Sequence, residues 1–442
     1  MSARQTAFKI LLKFEETNLR LDDIISAELN TKKLTAREKK FVYNLSAGVV
    51  RNMSLFDWKI GSFYKGNYKK VLRKFKVILR LAMYEIDILD FIPPRATVNE
   101  YVNLAKKELD QRHASITNGI LRTYLREGGK LNPDKKFKST ATQISVKYSF
   151  PEWLIKRWID YFGEQEVRRL CEAFNRRPKF DLRINPNKIE TEQFCNLLSI
   201  HKILFEPSKY FENMVEIEDV QKIRQLKLFE RGYCSIQDES AMIVPQLLEL
   251  KTGDRVLDAC AAPGGKFTAL LEMNVENAEI FAAEINRDRI KTIIENCRRL
   301  GFFKANIIAA DAVQYPFRKK FSKIIIDAPC SGSGTIQKHP DIKWRRTEEE
   351  IGIFQTLQLD ILTAMRDLIE KNGLLIYSTC SIDPAENEEV IRLFLDKHKN
   401  EFTIVEPPNK FKDLTFDNKF IRTFPHSHKM DGSFAVILKK CK

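Results

Sequence analysis

The C-terminal half of the sequence alternates apolar runs of strand length with stretches that are long enough to form helices. Six such runs follow Asp238: RVLDA (255–259), EIFAAE (279–284), NIIAAD (306–311), KIIIDA (323–328), GLLIYST (373–379) and FAVILKK (434–440). Strands that are apolar on both faces and joined by helices are typical of a parallel sheet with helices on each side. This pattern predicts a doubly wound α/β domain over residues 236–442. The hairpin-type turn Asp431-Gly432 predicts that the last strand runs antiparallel at the sheet edge.

The N-terminal part shows the periodicity of helices instead. Apolar residues recur there at the spacing that places them on one helical face, as in Ala7, Ile10, Leu11 and Phe14. The same stripe returns in Val71, Phe75, Ile78, Leu79 and Ala82, and again in Val98, Tyr101, Val102 and Ala105. We therefore predict an all-α bundle over residues 1–130, followed by a polar linker that begins at Gly128-Gly129.

A chain of 442 residues exceeds the ~100–200 residues of an ordinary domain, so a further part is expected. After the bundle, the sequence combines a helical pattern, WLIKRWIDYF (153–162), with a short strand, FDLRI (180–184). We predict a small α+β connector domain over residues 145–235. The expected fold is thus multidomain, with a bundle, a connector and an α/β domain in chain order.

Composition and cysteine spacing exclude several classes of protein. No stretch approaches the ~18 consecutive apolar residues of a membrane span, and Lys9 and Lys13 interrupt the apolar core that a signal peptide would need. The eight cysteines include no CxxC pair and no zinc-type spacing with the six histidines. We therefore expect a cytoplasmic monomer with reduced thiols, without a metal site or a membrane partner.

The positive charge of the chain is concentrated in its N-terminal third. Residues 1–150 hold 29 Lys+Arg and 15 Asp+Glu, a net charge of +14, whereas the remaining residues hold 45 and 44. The segment GSFYKGNYKKVLRKFKVILR (61–80) contains seven basic residues, no acidic residue and several aromatic ones. Such a field attracts a polyanion, which favours nucleic acid. A solvated helix face is the alternative, and an acidic lipid surface is disfavoured because no strongly apolar face accompanies the charges.

A glycine-rich turn follows the first strand of the predicted α/β domain. In CAAPGGKFTALLE (260–272), Gly264 and Gly265 let the backbone approach a ligand at the N-terminus of the next helix. A P-loop is excluded because Cys260 and Phe267 stand where that motif requires Gly and Ser or Thr. A dinucleotide fingerprint, G-x-G-x-x-G, is excluded because only the adjacent pair Gly264-Gly265 is present. Adenosyl cofactors without a pyrophosphate remain.

Acidic residues end three successive strands beside this turn. They are Asp258, Glu284 and Asp311. An acid at the end of the second strand suits the ribose hydroxyls, as in other nucleotide-binding folds, and Asp311 can accept from the adenine amino group. Each acid alone is more typical of a helix N-cap or a turn. Their combination around one glycine turn favours S-adenosylmethionine as the cofactor.

Two cysteines follow the fourth and fifth strands of the predicted sheet. Cys330 lies in IIIDAPCSGSG (324–334), and Cys380 lies in LLIYSTCSIDP (374–384). If these strands are neighbours, both sulfurs lie beside the cofactor pocket. A single cysteine there would more often be a small buried apolar residue than a nucleophile.

The residues after Cys380 predict a helix whose N-terminus would favour a thiolate. Ser381 or Asp383 can cap this helix, and Pro384 suits its first position. Glutamates in its first turn suit the helix dipole but oppose a thiolate that they face; they are Glu386, Glu388 and Glu389. The balance between these effects stays open at this point.

A thiolate beside S-adenosylmethionine is suited to methylation of carbon 5 of a pyrimidine. That carbon is a poor nucleophile, but addition of a thiolate to carbon 6 produces an enamine that attacks the methyl group. The carbon-5 proton then leaves and the thiol is expelled. Asp327, three residues before Cys330, can hold the amino group and N3 of a cytosine that is unstacked or single-stranded. The residues alone do not distinguish which thiol is the nucleophile.

The sequence also contains several longer motifs: ACAAPGGK (259–266), DAPCSGSG (327–334), HPDIKW (339–344), YSTCSIDPAENEEV (377–390), GYCSIQDESA (232–241) and PHSHKMDGSF (425–434). They closely resemble the RsmB/Sun family of RNA cytosine-5 methyltransferases. The segments TAREKKFVYNLSAGVVRN (35–52) and ATVNEYVNLAKKELDQRHASITNGILR (96–122) resemble the NusB-type RNA-binding domain that bacterial RsmB proteins carry. The resemblance spans essentially the whole chain. It implies a NusB-like bundle, a Rossmann-like methyltransferase domain, S-adenosylmethionine as cofactor and 16S ribosomal RNA as substrate.

The resemblance also implies roles for individual residues. The cofactor and base site would comprise Cys260, Ala261, Ala262, Pro263, Gly264, Gly265, Lys266, Glu284, Asp311 and Asp327. Cys380 of the TC motif would be the nucleophile, and Cys330 of the PC motif would help to release the methylated product. Glu284 departs from the family because many relatives have Asp there. The segment SGSG (331–334) lies where relatives vary between glycine and alanine.

Several interpretations remain open beside this one. A non-catalytic RNA-binding factor is disfavoured by the two thiols and three acids, and a transfer RNA or DNA cytosine methyltransferase is disfavoured by the bundle. No residue identifies the target nucleotide or the base that removes the carbon-5 proton. Three histidines suit either phosphate contacts or loop structure: His339, His426 and His428. A basic aromatic cluster suits either an RNA clamp or an exposed helix start: Lys343, Trp344, Arg345 and Arg346.

Overall fold

The computed structural model describes residues 2–127 and 131–442, so the beginning of the predicted linker, Gly128-Gly129, lies outside the described residues. The chain divides into two compact units. The first comprises Met1–Asn175 and Lys338–Arg346, and the second comprises Arg176–Gln337 and Thr347–Lys442. Among the described residues, no helix is both long enough and apolar enough to cross a membrane.

The first unit is helical, as the apolar periodicity predicts. Its helices are α1 (Ala3–Glu16), α2 (Leu21–Asn30), α3 (Ala36–Arg51), α4 (Met53–Phe63), α5 (Arg73–Ile88), α6 (Pro94–Glu108), α7 (Gln111–Glu127), α8 (Pro133–Lys136), α9 (Thr140–Tyr148), α10 (Glu152–Phe162) and α11 (Glu164–Asn175). Capping boxes at Ser2 and Thr35 begin α1 and α3. The predicted stripe of α1 is buried in one core with apolar residues of α3, α5, α6 and α7.

The basic segment 61–80 divides into an exposed part and a buried part. Lys65, Lys69, Lys70, Arg73 and Lys74 are exposed. In contrast, the guanidinium of Arg80 is buried and forms ion pairs with Asp57 and Glu15. Phe75 is also buried in the core. The charged surface that remains therefore lies around the start of α5.

The segment Lys338–Arg346, which contains the short helix Ile342–Arg345, is part of the core of the first unit. The Lys343 Nζ atom is buried and donates to the carbonyls of Arg51 and Ser149, both at 3.2 Å, and to Asn175 Oδ1 at 2.7 Å. Burial lowers the pKa of Lys343 well below its usual range. The Trp344 indole donates to the Val50 carbonyl at 2.8 Å.

Both sequence interpretations of this cluster are therefore wrong. The cluster is neither an exposed helix start nor a clamp for RNA, because Lys343 and Trp344 donate hydrogen bonds to backbone carbonyls of the bundle. Arg345 donates to the Phe14 carbonyl, and His339 Nδ1 lies 2.9 Å from Asp22 Oδ2. Of the two alternatives for His339, loop structure is the one that the contact favours.

The second unit begins within the predicted connector: residues 145–175 of that range, including the helical segment 153–162, belong to the first unit. The remaining elements of the connector are β1 (Phe180–Ile184), α12 (Thr191–Ile200), β2 (Phe205–Pro207), β3 (Met214–Ile217), α13 (Val220–Gln225) and β4 (Cys234–Ile236). The strands form an antiparallel sheet in the order β2-β3-β1-β4. Leu182, Ile184, Phe194 and Leu198 fill the core between this sheet and its helices. The α+β character predicted for this region is confirmed.

The rest of the second unit alternates strands and helices. These are α14 (Glu239–Gln246), β5 (Arg255–Asp258), α15 (Gly265–Glu272), β6 (Glu279–Glu284), α16 (Arg287–Leu300), β7 (Asn306–Ala309), β8 (Phe321–Asp327), α18 (Glu348–Leu368), β9 (Ile369–Thr379), α19 (Glu388–Lys397), β10 (Phe402–Val405), β11 (Thr415–Phe416), β12 (Phe420–Thr423), α20 (Pro425–His428) and β13 (Ser433–Lys440), with α17 being Ile342–Arg345 of the first unit.

The strands form one mixed sheet in the order β11-β12-β13-β9-β8-β5-β6-β7. The strands from β9 to β7 pair in parallel, and apolar clusters cover both faces of the sheet. The predicted Rossmann-like α/β fold is confirmed. The last strand is antiparallel, as expected, but its predicted place at the sheet edge is wrong. β13 lies inside the sheet, since it pairs with β9 on one side and with β10 and β12 on the other.

A buried ion pair attaches the connector to the glycine-rich turn. Arg183 of β1 is fully buried, and its Nη2 atom donates to Thr268 Oγ1 and to Glu272 Oε1, each at 2.9 Å. Its Nη1 atom donates to the Gly265 carbonyl at 2.7 Å and to Gln237. One guanidinium thus joins a connector strand to both ends of α15.

We expect Glu272→Ala to destabilise the second unit by about 3–5 kcal/mol, because Arg183 would keep a buried charge without its counter-ion. All four tryptophans lie in the first unit, so the measurement is urea-dependent hydrogen exchange of peptides from β5 and α15. The control is Asp396→Ala, which breaks the exposed 3.6 Å pair with Arg392 and should cost less than about 1 kcal/mol. Equal losses in both variants would contradict the assigned role of Arg183.

Candidate active site

Two strands of the mixed sheet bring the two strand-end cysteines together. β8 and β9 are parallel neighbours, with Asp327 paired to Ser378. The chain leaves the sheet after each of these residues, and the sulfurs of Cys330 and Cys380 lie 3.3 Å apart. Both cysteines are partly exposed. The carboxyl edge of the sheet therefore presents two adjacent thiols.

The turn after Cys330 depends on close backbone contacts. The Gly334 N–H donates to the Cys380 carbonyl, and the Gly432 N–H donates to the Gly334 carbonyl, each at 2.9 Å. A Cβ atom added to Gly334 would lie 1.8 Å from the Gly432 carbonyl oxygen. The last glycine of SGSG is therefore required by packing, because any side chain there would separate the two turns.

Lys266 and Asp327 form a charged pair beside the thiols. Lys266 stands in the first turn of α15, and its Nζ atom lies 2.6 Å from Asp327 Oδ2. Ser378 Oγ donates to the other carboxylate oxygen at 3.1 Å. The carboxylate is thereby fixed in orientation at the end of β8. It remains partly exposed, at 30% of its side-chain surface.

The charges around this pair favour a cationic lysine near the thiols. Burial alone lowers the pKa of Lys266, but the charge of Asp327, with a smaller contribution from ionised Cys380, raises it above its usual value. The hydrogen bond of Cys330 with Cys380, together with burial, raises the pKa of the Cys330 thiol well above its usual range.

The predicted cofactor residues Cys260–Lys266 form the turn that leads from β5 into α15. Gly264 has φ +99° and precedes this helix without a side-chain cap. A Cβ atom at Gly264 would lie 3.3 Å from Ile293 of α16, so the turn fits closely against its neighbour. Burial raises the pKa of the Cys260 thiol, which makes this residue a structural part of the turn and not a third thiolate.

The three strand-end acids have different surroundings. Glu284 is buried, accepts from the Asn286 N–H at 3.0 Å and lies 3.5 Å from Arg289. Asp311 accepts from the Val313 N–H at 2.8 Å. Both carboxylate oxygens of Asp258 are buried and accept no hydrogen bond of normal geometry within the described part of the chain. Burial, with a further contribution from Asp327, raises the pKa of Asp258 to about 7.

These residues fit S-adenosylmethionine, which carries a sulfonium and an ammonium charge. The unsatisfied Asp258 carboxylate and the neighbouring Asp327 give the glycine turn an anionic wall that suits such cations. An exposed apolar side chain lies close to each of the other two acids in the sequence. Ile285 follows Glu284, and Val313 lies two residues beyond Asp311. Among residues 2–127 and 131–442, no group of His, Cys, Asp and Glu could hold a metal ion.

The structure corrects one expectation about the segment after Cys380. Asp383 Oδ1 accepts from the Ala385 N–H at 3.0 Å, as predicted for a cap, but it caps only a short 3₁₀ turn, Pro384–Glu386. The α-helix begins later, at Glu388. No regular α-helix N-terminus therefore begins directly after the thiol, and the predicted dipole is replaced by specific contacts.

Sequence reasoning named Ser381 as a possible cap and Glu386 as a first-turn acid, but it missed Gln358 and the role of these residues in joining the two turns. Ser331, Ser381 and Gln358 all donate to the buried carboxylate of Glu386. The serine directly after each cysteine is the signal that the sequence offers. Elsewhere, His428 Nδ1 accepts from the Phe424 N–H at 2.9 Å, a loop-structure role, and His426 lies on the same short helix, α20.

Together, the mixed sheet, the glycine turn and the strand-end acids define a Rossmann-like methyltransferase that depends on S-adenosylmethionine. The 16S rRNA methyltransferase RsmB/F family matches residues 245–439, the NusB family matches residues 1–126, and the RsmF/B-like ferredoxin-like domain matches residues 150–224. The chain belongs to the RsmB/F family of methyltransferases, with an N-terminal NusB domain.

Relatives match the chain over its whole length. A probable ribosomal RNA small subunit methyltransferase B of Synechocystis sp. is 32% identical, with 100% of both chains covered. The corresponding Bacillus subtilis protein is 30% identical, with 99% of both chains covered. The crystal structure of PH0851 covers 95% of this chain and 94% of its own at a TM-score of 0.78 and 25% identity. A methyltransferase homolog from Pyrococcus horikoshii, also 25% identical, has a TM-score of 0.59 and covers 69% of this chain and 100% of its own.

We expect the free energy of unfolding of the second unit to depend on pH through the ionisation of Asp258. Its pKa is about 7 in the fold against the usual 3.8, so the unfolded chain releases this proton first as the pH rises. Wild type should therefore lose about 2 kcal/mol relative to Asp258→Asn between pH 5 and pH 8. Pulse proteolysis in urea measures this difference. The exposed Asp360→Asn variant is the control, and a difference between wild type and Asp258→Asn that does not change with pH would overturn the assignment.

Proposed function

We propose that this protein transfers a methyl group from S-adenosylmethionine to carbon 5 of a cytosine in 16S ribosomal RNA, through a covalent bond between a cysteine and the base. The observation that carries the proposal is the pair of thiols 3.3 Å apart beside the Lys266–Asp327 pair. Two thiols at one edge suit a reaction that must both form and release an adduct. The names of the full-length relatives support ribosomal RNA as substrate, and ribosomal RNA implies a cytoplasmic enzyme.

In this proposal, the glycine turn Cys260–Lys266 holds the amino-acid part of the cofactor, with Asp258 beneath it. Glu284 accepts from the ribose hydroxyls and Asp311 from the adenine amino group. The exposed side chains of Ile285 and Val313 are suitable surfaces for the adenine ring. When bound, S-adenosylmethionine supplies an electrophilic methyl group. The chain itself must orient the base and activate its ring.

Asp327 is proposed to orient the base, and Cys380 to activate its ring. Asp327, fixed by Lys266 and Ser378, accepts from the amino group of the cytosine and orients its ring. The Cys380 thiolate forms a bond to carbon 6, which makes carbon 5 nucleophilic toward the methyl group. Removal of the carbon-5 proton then allows the bond between sulfur and carbon 6 to break. The ammonium of Lys266, paired with Asp327, keeps a positive charge at this edge of the sheet throughout the sequence.

Cys330 is assigned to product release. Its raised pKa keeps it protonated beside Cys380, so it is a weaker candidate for the attacking thiolate. A protonated thiol adjacent to the adduct can assist the departure of Cys380 from the base. Residues 1–130 are proposed to bind RNA through the exposed basic surface at the start of α5, residues 145–235 to support the substrate, and residues 236–442 to catalyse the transfer.

The function is tested by incubating the protein with tritiated S-adenosylmethionine and either bare 16S RNA or assembled small subunits, followed by mapping of 5-methylcytosine. Label at carbon 5 of a cytosine is the expected result. Label only on transfer RNA controls, or on no RNA, would overturn the proposal.

Removal of each thiol should block the reaction at a different step. Cys380→Ala should abolish transfer, because no nucleophile remains to activate carbon 5. Cys330→Ala should transfer one methyl group per enzyme and then accumulate a covalent protein–RNA complex that is stable in denaturing gels. The control is Cys195→Ala in the connector. Accumulation of the complex by Cys380→Ala instead would reverse the two assignments.

Neutralising Lys69, Lys70, Arg73 and Lys74 together should weaken RNA binding, since these exposed side chains form the basic surface. Each lost phosphate contact should reduce the slope of log affinity against log salt by roughly 0.7–0.9. Filter binding at several salt concentrations measures the slope. A matched variant that removes four exposed lysines of the second unit, Lys202, Lys251, Lys399 and Lys419, is the control. Equal slopes for the two variants would exclude this surface as the RNA contact.

A further inference from the structure

A buried carboxylate lies behind the two thiols. Glu386 is 0% exposed and ends the short 3₁₀ turn that follows Cys380. Its Oε1 atom accepts from the Ser331 N–H at 2.7 Å and from Gln358 Nε2 at 3.2 Å. Its Oε2 atom accepts from the Ser331 hydroxyl and from the Ser381 hydroxyl, the latter at 2.6 Å. Four donors therefore converge on one side chain.

These donors belong to the two thiol turns. Ser331 directly follows Cys330, and Ser381 directly follows Cys380. Gln358 of α18 also donates to the carbonyl of Pro329, which precedes Cys330, at 2.9 Å. The Tyr377 hydroxyl donates to the Glu386 carbonyl at 2.6 Å and fixes the backbone of the acceptor. The Glu386 side chain is thus the point at which both turns and the helix behind them meet.

The four hydrogen bonds require both side-chain oxygens of Glu386 to act as acceptors. A carboxylate offers about four lone-pair sites and no proton, which matches the four donors. Burial raises the pKa of Glu386, while the hydrogen bonds from Ser331 and Ser381 oppose this and favour the ionised form. A fully buried carboxylate is costly unless it is hydrogen-bonded, so a chain that needed only packing here would be more stable with an apolar residue.

We propose that Glu386 is a positioning residue for the methyl transfer: its carboxylate fastens the Cys330 turn to the Cys380 turn and places a negative charge near Cys330. The inference rests on the proposed function, because it assigns a reason for the spacing of the two thiols. Glu386 acts through the serines and through its charge, and it touches neither sulfur in the described contacts.

The effect on ionisation follows from the charges that face Cys330. The titratable groups around this thiol are Cys380, Glu386, Asp327 and Tyr377. The negative charge of Glu386 opposes a second negative charge on Cys330. On the other side, the Lys266 ammonium is paired with Asp327 and interacts electrostatically with Cys380. Charges of opposite sign therefore face the pair of thiols.

The first test uses activity and adduct formation. Glu386→Ala removes the common acceptor of the serines, and Glu386→Asp withdraws it by one methylene, so both should let the sulfurs separate and lower turnover by about 10-fold or more. Glu386→Gln keeps the length and one acceptor oxygen, so it should lose less. All three should accumulate the covalent protein–RNA complex, since release needs Cys330 beside the adduct. The matched control is Glu389→Gln, which alters a glutamate of the adjacent helix turn that accepts from Gln355.

The second test measures ionisation without turnover. In a Cys380→Ala background, Glu386→Gln should increase the rate of alkylation of Cys330 by iodoacetamide at pH 8 several-fold, and Glu389→Gln should not. Peptide mass spectrometry identifies the alkylated cysteine, and circular dichroism confirms that each variant is folded. A purely structural role would leave this rate unchanged in the isosteric variant.

The outcomes separate this inference from the proposed function. If wild type forms no 5-methylcytosine, the proposed function fails. If wild type is active and the Glu386 variants match Glu389→Gln in turnover, adduct level and alkylation rate, the positioning role alone is overturned. If Glu386→Ala does not fold, the alkylation rate of Glu386→Gln still decides between the two results.

Discussion

The site depends on the parallel pairing of β8 with β9. In this register Asp327 lies opposite Ser378, so the two chains leave the sheet at the same level and their cysteines converge. A shift of the register by one residue would turn Asp327 toward the other face and separate the thiols. The strands are apolar on both faces, and helices bury them from each side. The core that stabilises the fold therefore also sets the geometry of the site.

Two ion pairs neutralise buried charges in this domain. Arg183 with Glu272, and Lys266 with Asp327, are pairs in which each charge satisfies the other. Burial of a charge without a hydrogen-bonded partner is costly, and both oxygens of the buried Asp258 carboxylate lack a hydrogen bond of normal geometry in the described part of the chain. In the proposed function, the cationic cofactor offsets this cost, because it brings positive charge to the glycine turn beside Asp258.

Periodicity predicted the helices and strands because burial of apolar faces is a local property of the sequence. The predictions from periodicity and local sequence were wrong where a tertiary contact determines the position of a residue or a strand. Nothing local to Lys343 indicates that its amino group donates to carbonyls of the bundle, and nothing near the last strand shows that β10 and β12 pair with its outer side. Strand ends predicted the meeting of the two thiols, since parallel strands share an edge. The Glu386 network could not be predicted, because its donors lie on three separate segments.

The two thiols also explain why the site needs an asymmetric environment. Sulfurs 3.3 Å apart cannot both ionise readily, because the first thiolate raises the pKa of the second. Identical surroundings would leave the negative charge shared between them, and each would then be a poor nucleophile and a poor acid. The positive charge of Lys266 and the negative charge of Glu386 make the surroundings of the pair unequal. The proposed covalent methyl transfer to carbon 5 needs such asymmetry, because it assigns attack to one sulfur and release to its neighbour.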